Sequence, residues 1–113
     1  MIVRRADEIE KNVVEEEGAK GVNVRWLISK EIGAPNFAMR EFEIEPGGYT
    51  PYHTHHWEHE VYVLEGEGVA VGPEGEHPIK PGTVVFVPGG EEHNFRNTGD
   101  TPLRFLCLVP HIE

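Results

Sequence analysis

The sequence has only one cysteine, Cys107, and few positive charges. A single cysteine excludes a disulfide within the chain and is typical of proteins that work in reducing compartments. Ten lysines and arginines stand against twenty acidic residues, which gives a formal net charge of -10. Nucleic acids and anionic membranes both attract basic surfaces, so the composition predicts that the protein binds neither of them.

Long apolar segments are also missing. No stretch approaches the roughly 20 apolar residues that span a membrane, and the N-terminal residues lack the apolar core of a secretion signal. Together with the cysteine usage, these absences predict a cytoplasmic protein. The length of 113 residues lies in the usual range for one domain, so we expect residues 1–113 to form one.

A sustained helical periodicity is the third missing feature. Short segments alternate between apolar and polar residues and are separated by Gly and Pro, which predicts an all-β sandwich or barrel. Pro46-Gly47-Gly48 is expected to end one strand, and Gly72 to Gly75 is expected to form a hairpin turn. The predicted strands are 2–3, 22–28, 37–45, 60–64, 69–71, 83–87, 93–96 and 103–109, with a weak helical turn near 7–11.

The most informative feature that is present is a cluster of histidines. Four of the seven histidines fall within residues 53–59. Imidazole is the commonest metal-ligand side chain, and residues two apart on a strand point to the same side, so His53 and His55 suit one metal ion. His59 can supply a third ligand, and His93 after its Pro-Gly-Gly turn can supply a fourth. The alternatives are surface histidines or the remnant of a purification tag, but a tag would be terminal and uninterrupted.

Glycine and proline spacings around these histidines carry a family resemblance. Residues 47–66 match the first cupin motif, G-x5-H-x-H-x3/4-E-x6-G, except at the glutamate, and residues 82–97 match the second, G-x5-P-x-G-x2-H-x3-N, in full. The sequence therefore resembles the small single-domain cupins. The resemblance implies a double-stranded β-helix, or jelly-roll, barrel that holds one divalent transition metal ion. Imidazole ligands are compatible with Mn, Fe, Ni, Cu or Zn.

The departure from the motif concerns the glutamate ligand. His59 or Glu60 can take its place. The motif has six residues between this ligand and its last glycine, and His59 has that spacing to Gly66, so His59 is the predicted ligand and Glu60 the alternative. His56 faces away from His55 on an extended chain and is expected at the rim. Four neutral imidazoles would leave the ion its full double charge, which favours anionic ligands in the open positions. The predicted metal ligands are His53, His55, His59 and His93.

Several other residues are candidates for the wall of a substrate pocket. Arg40 shares a strand face with Phe42, and its partner is a structural carboxylate, a substrate carboxylate or solvent at the rim. Phe95 shares a face with His93, and Phe105 and Cys107 share a face of the last strand, although ordinary core packing is the favoured explanation for each of these three. Trp57 is expected to cover the site or to pack against a partner subunit. The acidic run 15–17 is interpreted as a solvated face.

The resemblance implies a metal-dependent enzyme that acts on a small organic substrate, with small acids among the candidates. Oxygen-dependent, dioxygenase-like chemistry ranks first, because an all-histidine set with open positions resembles cupin dioxygenase centres. A non-catalytic cupin that binds a small ligand or a metal, and a sugar isomerase or epimerase, are the alternatives. Apolar residues on both faces of strands 22–28 and 103–109, notably Leu27, Leu106 and Leu108, predict a homodimer.

Overall fold

The computed structural model describes residues 1–111, and they form a curled antiparallel sheet of short strands. The order across the sheet is β6-β5-β8-β3-β9-β4-β7, and β2 pairs with both β1 and β3. The expectation of an all-β jelly-roll barrel is confirmed. The strands are β1 (Asn12–Val13), β2 (Lys20–Ile28), β3 (Phe37–Tyr49), β4 (His59–Glu65), β5 (Gly68–Gly72), β6 (Gly75–Ile79), β7 (Val84–Val87), β8 (Asn94–Asn97) and β9 (Leu103–Pro110).

The core lies on the concave side of the curled sheet. Alternation along β9 is strict, since Leu103, Phe105, Cys107 and Val109 are buried while the residues between them are half-exposed. Strand β3 pairs with β2, β8 and β9 and so connects both halves of the barrel. The most completely buried side chains come from several strands, as expected for a core shared by the whole sheet: Val22, Ile44, Val63, Leu103 and Phe105.

Strand β3 continues through Pro46-Gly47-Gly48 to Tyr49, so the prediction that this segment ends the strand is wrong. The ladder to β2 is interrupted between the pairs Val22↔Ile44 and Lys20↔Tyr49. The extra residues form a bulge, where proline need not donate to the ladder. Gly48 is required there, because a Cβ atom would lie 2.4 Å from the carbonyl oxygen of Lys20.

Two smaller predictions also need correction. Ile2–Val3 is not a strand; the first strand is Asn12–Val13, which gains ladder partners on β2, and the helical turn lies at Ala6–Glu8. Strand β6 was not predicted, because its Pro78 disfavours a strand. Strand β6 lies at one end of the sheet order, and such an edge position tolerates proline.

A buried carboxylate network holds the convex side of the sheet. Glu41 is only 4% exposed, and its two oxygens accept from Arg25 Nη1 at 3.2 Å and from Arg104 Nη2 at 2.6 Å. Arg104 Nη1 also donates to Glu65 at 2.7 Å. These contacts join β2, β3, β9 and β4 behind the concave face. Within residues 1–111, no helix is long and apolar enough to cross a membrane.

Candidate metal centre

Backbone hydrogen bonds bring the two histidine segments together at one end of the concave face. His53 and His93 form an antiparallel bridge, with N···O distances of 3.2 and 3.0 Å. The amide of Gly90 donates to the carbonyl of His55 at 2.7 Å. His59 begins β4 opposite Val87 of β7 and is buried. The fold therefore gathers residues that are distant in the sequence through hydrogen bonds of the backbone.

The four histidines form one cluster of rings. The potential ligand atoms of His53, His55 and His93 all lie within 4.8 Å of one another. The ring centroid of His59 is 4.7 Å from that of His55 and 5.1 Å from that of His93, but its ligand nitrogen lies outside that three-atom set. The structure thus assembles a histidine triad, with His59 beside it as a fourth nitrogen donor.

The contacts at Nδ1 bear on which ring nitrogen each histidine presents to the cluster. Nδ1 of His93 donates to the carbonyl of Glu91 at 2.9 Å, and Nδ1 of His53 lies 3.4 Å from a carboxylate oxygen of Glu16. An accepting partner at Nδ1 favours the tautomer in which Nε2 presents its lone pair, so Nε2 of His93 and of His53 is available. Nδ1 of His59 lies 3.4 Å both from the sulfur of Cys107, which can accept a proton, and from Nη2 of Arg40, which can only donate one.

Burial keeps three histidines of the cluster neutral, namely His55, His59 and His93. It lowers the pKa of His55 to about 4 and that of His59 to about 3, with the neighbouring histidines and Arg40 adding charge repulsion. Burial also lowers the pKa of His93. Metal binding requires a free imidazole lone pair, so these three rings are ready to ligate at neutral pH without first losing a proton.

His55 offers an independent indication that the cluster fits a cation. Its Nδ1 is buried, and nothing in residues 1–111 hydrogen-bonds to it. The ring of Trp57 stacks on it at 4.2 Å with an interplanar angle of 14°. An unpaired buried polar atom has a free-energy cost, so a neutral imidazole held among other neutral imidazoles suits a bound cation. The residues present therefore fit a metal ion held by His53, His55 and His93, with His59 as the fourth ligand.

A cavity of about 340 Å³ opens over the histidines. This is at the small end of the range for small-molecule sites. The phenyl rings of Phe42 and Phe95 pack against Phe105 at centroid distances of 5.5 and 5.0 Å. All five residues predicted to line a substrate pocket line this cavity, namely Arg40, Phe42, Phe95, Phe105 and Cys107.

Arg40 lies between the aromatic wall and the histidines. On β3 it is paired with Trp26 of β2 and with Cys107 of β9, so all three face the cavity side. Its Nη2 donates to the Cys107 sulfur at 3.1 Å and lies 3.4 Å from Nδ1 of His59. Burial raises the pKa of the Cys107 thiol. The sulfur is therefore a neutral neighbour of the guanidinium.

The remaining predicted residues lie elsewhere. Glu60, the alternative ligand, is exposed on the opposite face of β4 from His59, so its carboxylate is not with the histidines. His56 is exposed, as expected for a rim residue, and so is His77. His111 is half-buried, and its Nε2 lies 2.6 Å from the carbonyl oxygen of Ala34, away from the histidine cluster.

Five residues that line the cavity were not identified as such from the sequence: Val14, Glu16, Val22, Thr50 and Pro51. Glu16 belongs to an acidic run that was interpreted as a solvated face, yet it lines the cavity mouth beside His53. Val14, which packs against the core, also lines the cavity. No local pattern marks either residue, because both reach the site through the loop between β1 and β2.

The sequence profile of the cupin domain matches residues 40–109, which is more than half of the chain. The chain belongs to the cupin family. This confirms the resemblance inferred from the two motifs. The matched range contains all four histidines, Arg40 and the three pocket phenylalanines.

This cupin is similar to proteins with different activities. It is 37% identical to the oxalate-binding protein of Thermotoga maritima over 96% of this chain and 93% of that protein. It is 33% identical to the L-ectoine synthase of Mycolicibacterium gilvum over 96% of this chain and 82% of that protein. The structure of the polyketide cyclase RemF from Streptomyces resistomycificus superposes with a TM-score of 0.92, at 39% identity, over 97% of this chain and 79% of that one. Enzymes are thus found among its relatives, with no common reaction.

Proposed function

We propose that this cupin is a metal-dependent enzyme that acts on a small organic molecule, with oxygen-dependent chemistry as the first reaction class to test. One observation carries the proposal. Three histidine nitrogens lie within 4.8 Å of one another beneath a cavity of about 340 Å³. A site that is ligated by protein on one side and open to a cavity on the other is typical of catalytic metals.

The histidine set supports this function in two ways. All of its protein ligands would be neutral, so a divalent ion would retain its full charge toward ligands in the cavity. Imidazole sets are compatible with redox-active iron and copper as well as with zinc, nickel and manganese. When bound, such an ion supplies Lewis-acid polarisation and, if redox-active, a route for electrons to oxygen. The cavity walls orient the organic substrate and exclude water.

A second candidate function is binding of a small ligand without oxidation. It is favoured by the Thermotoga maritima relative, which is named for binding oxalate and aligns with almost the whole chain. The RemF structure, which is named as a polyketide cyclase, supports a related alternative, a ring-closing reaction. The two candidates share the metal site and differ in whether dioxygen is consumed.

Metal analysis of the purified protein tests the shared part. We expect about one transition metal ion per chain, removable by a chelator and restored by added metal. His55→Ala should abolish stoichiometric binding, because it removes a member of the triad. His77→Ala is the matched control, since His77 is exposed and outside the cluster. Equal metal content in the wild type and in His55→Ala would overturn the proposal.

Oxygen uptake tests the reaction class. The protein loaded in turn with iron, copper, nickel, manganese and zinc is screened with small carboxylic acids and phenols in an oxygen electrode. Uptake that requires both a redox-active metal and His55 supports oxygen-dependent chemistry. A loaded protein that binds such compounds with no oxygen consumption would instead support the second candidate.

The homodimer predicted from strands 22–28 and 103–109 is also a proposal, and we place the second copy on the convex face of β4 and β7, beside Leu106 of β9, which pairs with Tyr62. Tyr62, Val84 and Phe86 are 47%, 70% and 60% exposed there, and Tyr62 pairs directly with Val84 across the two strands. Sedimentation equilibrium should show a dimer that Phe86→Glu dissociates. Val13→Glu is the control, because Val13 is equally apolar and exposed but lies on β1. A wild-type monomer at micromolar concentration would refute the dimer.

A further inference from the structure

Arg40 is a cation that the fold leaves without a counter-charge. Its neighbours are the weakly accepting sulfur of Cys107 and a ring nitrogen of His59, and its buried Nε has no hydrogen-bond partner. No carboxylate within residues 1–111 lies at ion-pair distance from it. Arg25 and Arg104, its neighbours on the convex side, are both paired with Glu41. Arg25 and Arg104 thus have a carboxylate partner, whereas Arg40 at the cavity has none among the described residues.

Aromatic rings hold the Arg40 side chain in place without neutralising it. The guanidinium carbon lies 4.8 Å from the ring centroid of Phe42 and 5.3 Å from that of Trp26. Cation–π contacts of this kind orient the group and leave its charge available. An oriented guanidinium is a preferred binding group for carboxylates, because less side-chain freedom is lost on binding.

The remainder of the cavity suits an apolar body. Its walls include Phe42, Phe95, Phe105 and Val22, and its volume of about 340 Å³ corresponds to roughly eleven water molecules at about 30 Å³ each. A ligand made only of charged groups would leave these aromatic walls in contact with water. A ligand with a flat hydrocarbon portion of about one ring would cover them.

The charges around the cavity favour one carboxylate over two. Arg40 is the only lysine or arginine that lines the cavity in the described part of the chain. Glu16 stands at the mouth, and the chain has a formal net charge of -10. A second carboxylate would have no cationic side chain to bind and would be repelled by these charges.

We therefore propose that the cavity takes a monocarboxylic acid with a flat apolar body, and that Arg40 binds its carboxylate. The inference rests on the proposed function in taking this cavity as the substrate site, and it names the class of substrate. Arg40 Nη2 is 3.4 Å from Nδ1 of His59. An acid whose carboxylate is bound by Arg40 would therefore lie beside the histidine cluster. A preference for a single carboxylate would distinguish this cavity from a site that binds the dianion oxalate.

Binding of benzoate, benzamide and oxalate, measured by calorimetry on the chelator-treated and the metal-loaded protein, tests the proposal. Benzamide has nearly the shape of benzoate without its charge. We expect benzoate to bind roughly 10- to 100-fold more tightly than benzamide in the metal-free protein, and more tightly than oxalate. Arg40→Met should remove the preference for benzoate, and Lys80→Met, which changes an exposed cation away from the cavity, should retain it.

The outcomes separate this inference from the metal proposal. In the metal-free protein, equal affinity for benzoate and benzamide, tighter binding of oxalate, or an unchanged preference in Arg40→Met would each overturn the inference. The wild-type comparison of benzoate with benzamide remains decisive if Arg40→Met does not fold. Metal content is measured on the same samples. A protein that prefers benzoate but binds no metal would support Arg40 as the anchor and refute only the proposed metal function.

Discussion

Replacing Gly89 with alanine probes how the metal centre is held. Gly89 belongs to the Pro-Gly-Gly turn before His93, and its backbone is not in the left-handed region. A Cβ atom there would lie 2.3 Å from the carbonyl oxygen and 3.0 Å from the carbonyl carbon of His56. Relief of that overlap needs a shift of roughly 1 Å. The segment that must move contains His55 and Trp57, because the turn is hydrogen-bonded to it through Gly90.

The expected effects follow from that shift. Overpacking against backbone costs about 1–3 kcal/mol of unfolding free energy, which corresponds to a fall in Tm of roughly 5–15 °C for a domain of this size. A binding site tolerates displacement of its ligands by only about 0.5 Å, so we expect metal affinity to fall roughly 10- to 100-fold. Scanning calorimetry measures the first quantity, and competition with a chelator of known affinity measures the second.

Gly99→Ala is the matched control. Its backbone is also outside the left-handed region, and the nearest contact of an added Cβ is an ordinary 3.4 Å to the carbonyl oxygen of Glu67. Its Tm should remain within a few degrees of the wild type, with metal affinity unchanged. If Gly89→Ala behaves like Gly99→Ala in both assays, the argument that this close approach positions the histidine segment is refuted.

Three further predictions concern the frame and the ligands. Asn97→Ala should lower the unfolding free energy by about 3 kcal/mol in urea titrations, because it removes bonds to Ile44, Thr101 and Gly99 and leaves a buried carbonyl unpaired. A change below about 1 kcal/mol would contradict this. Glu16→Gln should weaken metal binding about tenfold in chelator competition at unchanged Tm, while Glu16→Asp restores part of it. The metal-free protein should lose stability as the pH falls from about 6.5 toward about 3, because the unfolded chain protonates histidines whose pKa burial holds low. His59 should account for roughly 1–2 kcal/mol of this loss at about pH 5, and a His59→Gln variant with an unchanged slope would exclude it as the cause.

Local sequence patterns were sufficient to predict the parts of the site that lie on regular strands. Alternation placed Arg40 with Phe42 and Phe105 with Cys107, and the structure shows these pairs lining the cavity. Motif spacing identified the four histidines that cluster. It also selected His59 over Glu60, and the structure places Glu60 on the outer face of β4. These features depend on a period of two residues and on short loops, which the sequence records directly.

Contacts between distant segments could not be predicted in this way. No residue near Glu41 in the sequence indicates its burial, which depends on two arginines from other strands. Glu16 reaches His53 only because the loop after β1 crosses the cavity mouth. The continuation of β3 past Pro46 depends on a bulge whose partner is Lys20. Each of these outcomes is decided by tertiary neighbours rather than by residues nearby in the chain.

The place of the last strand in the sheet has a consequence for how the protein is made. Strand β9 lies between β3 and β4, and His53 is held by its bridge to His93. During synthesis, His53, His55 and His59 leave the ribosome before His93 and β9 have been made. A nascent chain therefore carries these nitrogen donors before they are brought together, and the sheet cannot close around them until β9 has been released. Loading of a metal ion would then follow the synthesis and pairing of β9.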